Sequence, residues 1–160
     1  ASRNGQLDIV QLLLDLGANI DIKDKQSGRT ALMWASRNGH MDIVQLLLDH
    51  GANINLQDVF GYTALILASK KGLSNTVQLL LDREANINMK DLFGDTALIL
   101  AYTFGHRDIV QLLLDHGANI NIQDILVYTA AIGASIMNNR EIIQILHQEI
   151  ERRQMAQEDK

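Results

Sequence analysis

Cysteine and proline are both absent from this 160-residue chain, and aromatic residues make up only 4% of it. Without cysteine there is no disulfide framework, and no thiolate for a zinc site or a nucleophile. No N-x-S/T sequon occurs. Long apolar runs are missing too: stretches such as ALILA at 64–68 fall far short of the roughly 20 residues that a membrane helix needs. There is no charged-then-apolar leader with a small-residue cleavage site. A basic excess is also lacking, since the formal net charge is -5 with both signs interspersed, which argues against a dedicated nucleic-acid or anionic-membrane binder. Together these absences lead us to expect an intracellular protein, cytoplasmic or nuclear, with delivery into a host cell left open.

What is present is repetition. DIVQLLLDHGANIN runs from Asp42 to Asn55 and again, unchanged, from Asp108 to Asn121, with a near copy from Asp8 to Asp21. An active site has no use for three copies of itself, whereas a structural brick does. Thr30, Thr63, Thr96 and Thr129 stand 33 residues apart, and one extra residue falls in DKQSG at Asp24–Gly28. An insertion accepted only there marks a surface loop. The opening ASRNG recurs at 35–39, so the chain is expected to enter its array partway through a unit.

Each unit divides into three parts. In TALILASKKG, from Thr63 to Gly72, Ala64, Leu65, Leu67 and Ala68 suit the packed side of a short helix. LSNTVQLLLDREAN then places Val77, Leu80 and Leu81 at helical spacing. Asp42, Asn75 and Asp108 suit its positive N-terminus, while His50, Arg83 and His116 suit its negative end. Gly17, Gly51 and Gly117 fall where a left-handed residue closes a helix. The remaining segment carries a D-x-x-G turn and should project as a hairpin finger. So small a unit cannot bury its own apolar face, and stacking solves that problem.

The frame D-x-x-G-x-T-A-L-x-x-A-x-x-x-G-x-x-x-I-V-x-L-L-L-x-x-G-A-x-I-N resembles the ankyrin repeat over essentially the whole chain. The resemblance implies a mainly α solenoid of stacked helix-turn-helix units with β-hairpin or loop fingers. It divides a single domain, 1–160, into a partial unit at 1–23, units at 24–57, 58–90 and 91–123, and a C-terminal cap at 124–160. The chain departs from the family in that Ala31, Ala64, Ala97 and Ala130 replace its proline, and Met33, Ile66, Ile99 and Ile132 its histidine. These four side chains are expected to become apolar contacts between units. Glu84 replaces a helix-closing glycine, with strain of roughly 1 kcal/mol if it stays left-handed. In the last unit Val127 and Asn138 replace glycines, and the tail continues in helical period with Ile142, Ile143, Leu146 and Ile150 inward and Glu149 four residues from Arg153.

Catalytic chemistry finds no support. No histidine pair has metal-ligand spacing, so His40, His50, His106, His116 and His147 read as turn and cap residues. No G-x-S-x-G elbow or phosphate-cradling glycine loop occurs. No cofactor, metal or catalytic residue is expected. Asn53/Asn55, Asn86/Asn88 and Asn119/Asn121 should bond backbone groups beside the fingers.

The resemblance places partner contacts on the finger tips and the concave ends of the first helices. The tips carry Arg29, then Val59, Phe60 and Tyr62, then Leu92, Phe93 and Asp95, then Leu126 and Tyr128. An exposed apolar stripe marks a binding face, though adjacent fingers could use the same residues to seal against each other. Both readings stay open on sequence. On the helix ends Arg37, Lys70 and Lys71 give way to Phe104, a basic ladder leading into an apolar groove that would suit a peptide with acidic and apolar ends. Trp34 is expected to pack between units. The function implied is a monomeric, non-catalytic scaffold for a protein or peptide, with no role for nucleic acid or membrane. Its alternatives are an adaptor segment of a larger protein, such as a host-directed effector or ubiquitin-ligase adaptor, and a self-associating spacer.

Overall fold

The computed structural model describes residues 3–120 and 140–158, and every regular element among them is a helix. They are α1 Arg3–Asp15, α2 Ala31–Asn38, α3 Met41–Asp49, α4 Ala64–Lys70, α5 Ser74–Asp82, α6 Ala97–Thr103, α7 Arg107–Asp115 and α8 Arg140–Glu158. The first helices α2, α4 and α6 pack side by side in one layer. The second helices α1, α3, α5, α7 and α8 form the other, each against the next. The core runs continuously between the layers, from Leu32 and Val44 to Leu114 and Leu146.

Local chemistry sets the short helices. Each begins at a threonine in extended conformation whose hydroxyl accepts the N–H three residues on, from Met33, Ile66 or Ile99. Met33, Ile66 and Ile99 are themselves buried, as apolar residues in place of histidine predict. α4 and α6 are too short to be stable alone. They persist because nearly every side chain from Ala64 to Ser69 and from Ala97 to Tyr102 is buried between neighbours.

The second helices close as the pattern predicts. Gly17, Gly51 and Gly117 take φ of 79°, 83° and 81°. After α3 the Ala52 N–H returns to the Leu47 carbonyl at 3.0 Å. Glu84 makes the same turn with φ 62°, and no other non-glycine residue among those described has positive φ. His50 and His116 place Nδ1 at 2.8 and 2.9 Å from the Leu46 and Leu112 carbonyls, so they cap C-termini. His147 makes the same contact to Ile143.

The fingers are tight turns, with no strand among the described residues. Asp24, Asp58 and Asp91 organise them: Asp58 Oδ1 accepts the Phe60 and Tyr62 N–H groups, and Asp91 Oδ1 those of Phe93 and Asp95, all within 2.9 Å. One backbone bond then ties each finger to the next, from Val59 N–H to the Ser27 carbonyl and from Leu92 N–H to the Phe60 carbonyl, both 3.0 Å. Gly61 is required twice over, since it has φ 81° and a Cβ there would stand 2.8 Å from the Leu92 nitrogen. Beside the fingers the amides form a ladder. Asn55 Oδ1 accepts Asn86 N–H at 2.8 Å and Asn88 Oδ1 accepts Asn119 N–H at 2.9 Å. Asp21 plays the same part for Asn53.

α8 covers the far end. Ile142 and Leu146 are buried, while Ile143 and Ile150 are half-buried. Glu149 bonds Arg152 and Arg153, and Arg153 reaches the Ala118 carbonyl at 3.0 Å. The arginine pairs hold the Glu149 carboxyl down at about 2, Arg152 contributing most. The expectations for Leu126, Val127, Tyr128, Ala130, Ile132 and Asn138 lie outside the described residues.

Candidate protein-binding surface

The D-x-x-G turns alternate two orientations, and this sorts the expected site residues. The pair preceding the turn glycine points outward: Val59 is 54% exposed, Phe60 45%, Leu92 73% and Phe93 74%. The residue after that glycine faces the array instead. Arg29 there bonds Asp58 Oδ2 through Nε at 2.8 Å, with side chains 12% and 0% exposed. Tyr62, its counterpart, is half-buried, and Asp95 is buried. Arg29 thus lies at the seam between the first two fingers, and Asp95 is turned inward rather than outward.

The seam is not uniform. Arg29 satisfies Asp58 across the first junction, while at the second its place is taken by Tyr62, and the buried Asp91 Oδ2 has no hydrogen-bond partner. Such an orphaned acceptor costs about 1–3 kcal/mol.

Behind the fingers, cations lie on rings. Lys70 Nζ stands 4.9 Å from the Tyr62 ring centre and 5.6 Å from that of Phe104, and it donates to Tyr62 Oη at 3.3 Å. Phe104 is half-exposed and stacks on His106, whose Nε2 lies 3.2 Å from the Lys70 carbonyl. One unit earlier Arg37 lies 5.6 Å from the centre of Trp34, with Arg29 also over that ring at 4.9 Å. Trp34 Nε1 donates to Asp24 Oδ2 at 3.0 Å. Trp34 is 39% exposed. Hydrogen bonds, led by the Ser27 N–H, hold the Asp24 carboxyl well below the usual range. Lys71 is exposed beside Lys70. The structure thus gathers Phe60, Tyr62, Lys70 and Phe104 into one connected patch.

A second exposed apolar area lies on α1. Ile9, Leu12, Leu13 and Leu16 of α1 stand open, as does Ile22. Beside them Ile9, Val10, Trp34 and Ala35 help line a cavity of about 360 Å³. Ala31 and Trp34 are exposed, whereas their counterparts Ala64, Ala97, Leu67 and Leu100 are buried by a preceding first helix.

Among the described residues no group of three His, Asp or Glu side chains could hold a metal ion, and no helix is long and apolar enough to cross a membrane. A family model described as ankyrin repeats (3 copies) matches residues 1–91, 51–124 and 84–155. No curated protein matches the chain.

Proposed function

The chain belongs to the ankyrin repeat family, and from that premise we propose that it is a monomeric, non-catalytic scaffold that binds a partner protein through its finger tips and concave face. Ankyrin repeats are generally protein-interaction modules, and the observation that carries the reading here is the outward stripe of Val59, Phe60, Leu92 and Phe93. Four large apolar side chains on two hydrogen-bonded fingers are more than a soluble surface normally leaves uncovered. Aromatic side chains are also the preferred anchors of interfaces. The array is ordered before the partner arrives, so little entropy is lost in forming the complex. The units at 24–57, 58–90 and 91–123 and an intracellular setting belong to the same proposal.

The test is affinity capture from lysate by the wild type and by a Phe60→Ser/Phe93→Ser variant, with thermal unfolding of both. Unchanged melting with loss of specific partners supports a binding stripe. A marked fall in melting temperature assigns those residues to inter-unit packing.

A further inference from the structure

We propose that the concave face selects an extended peptide bearing two carboxylates three residues apart, followed three residues later by a large apolar side chain. This rests on the protein-binding reading above and gives its partner a chemistry.

The argument begins with the two cations. Arg29, Arg83, Arg107, Arg152 and Arg153 each meet a carboxylate. Arg37 and Lys70 meet aromatic rings instead. A ring contact holds a cation in place without neutralising it, so both stay available to an incoming anion. The finger carboxylates Asp24 and Asp58 are already engaged. Asp24 accepts from the Ser27 and Arg29 backbone and from Trp34, and Asp58 from Arg29 and the turn amides.

Spacing follows from the stacking. Arg37 and Lys70 are 33 residues apart in sequence and occupy equivalent positions near the ends of α2 and α4, which pack side by side. Neighbouring helices lie about 8–10 Å apart. A chain in the extended polyproline II form rises about 3.1 Å per residue and turns every third side chain to the same face, so roughly three residues cross one unit with both carboxylates facing the array. The next register, on α6, carries no charge: Thr103 stands where Arg37 and Lys70 did, and beside it Phe104 is 50% exposed. An apolar side chain would meet that ring, with Tyr62 and Phe60 along the path. The order acid, acid, apolar thus maps onto Arg37, Lys70 and Phe104.

A peptide array tests it with the whole chain as probe. Peptides of a Gly/Ser host carry two Glu residues separated by one to five positions, with Leu three residues after the second, and Gln-for-Glu controls. Hits are measured again in solution by fluorescence anisotropy. Binding should peak at a separation of three and fall at least tenfold with Gln controls. It should fall equally for an Arg37→Gln/Lys70→Gln variant, while Phe104→Ser should weaken peptides with Leu but not those with Ser in its place. Should the double variant melt lower, Arg37→Lys/Lys70→Arg keeps the charge and should retain the separation preference. A flat response, a different optimum, or tighter binding to a single-stranded oligonucleotide or phosphatidylserine vesicles overturns the proposal. If that happens while captured proteins still depend on Phe60 and Phe93, the protein-binding reading survives and only the acidic-peptide assignment falls.

Discussion

Helices α1, α3 and α7 share the letters IVQLLLD, yet they live in different surroundings. Leu47 of α3 is 1% exposed and Leu113 of α7 0%, while Leu13 of α1, the same letter in the same place, is 50% exposed. The difference lies in the neighbour: α2 packs on α3 and α6 on α7. In a solenoid, burial belongs to the junction between elements rather than to the residue, and stability is a sum of such junctions. The comparison yields its largest prediction directly. Leu47→Ala and Leu113→Ala should each cost about 3 kcal/mol in urea titrations, against less than about 1 for Leu13→Ala. Equal losses at all three positions would break the comparison.

The finger seams offer a sharper version, because there the junction is polar. Arg29→Ala strands a buried carboxylate at Asp58 and should cost about 3 kcal/mol. The second junction already has its stranded oxygen, Asp91 Oδ2, behind Tyr62. A Tyr62→Arg chain should therefore melt higher, by the gain of one charged hydrogen bond of about 1–2 kcal/mol less the packing lost with the ring. If it melts lower, the Tyr62 ring matters more to that seam than the missing partner does.

Smaller effects separate the helix ends. At Glu84, φ 62° places a side chain where its counterparts are glycine. Glu84→Gly should stabilise by roughly 1 kcal/mol, whereas Gly51→Ala should destabilise by a similar amount. At α8 the depressed Glu149 carboxyl, about 2 against an ordinary 4.5, is charged in the folded state where the unfolded chain would bind a proton. Its contribution is complete above about 4.5 and fades as pH falls toward about 2. Because Arg152, the partner that contributes most, is 70% exposed, the loss should be at most about 1 kcal/mol. Glu149→Gln should flatten that part of the acid-unfolding curve and leave the melting temperature near pH 7 within about 2 °C of the change expected for an exposed pair.

What the sequence revealed and what it concealed follow the same division. The 33-residue period, the buried Met33, Ile66 and Ile99 and the left-handed Glu84 are stated by the letters of the units themselves. The inward setting of Arg29 and Asp95 was not legible, because it depends on packing beyond their own turn. Which side of a D-x-x-G turn meets the next finger depends on the bond from Val59 to Ser27 or Leu92 to Phe60, and no single unit encodes it. The tips Val59, Phe60, Leu92 and Phe93 were legible as apolar, but their outward aim needed the fold.

The central claim, that this outward stripe is a partner surface, is tested most directly by placing a photo-crosslinking amino acid at Phe93 and, in a separate chain, at Gln111, an exposed residue of α7. Irradiation in lysate should give discrete adducts from position 93 and none of the same mass from position 111. Adducts from position 111 alone, or an identical set from both, would contradict the claim and move the partner surface to the second helices.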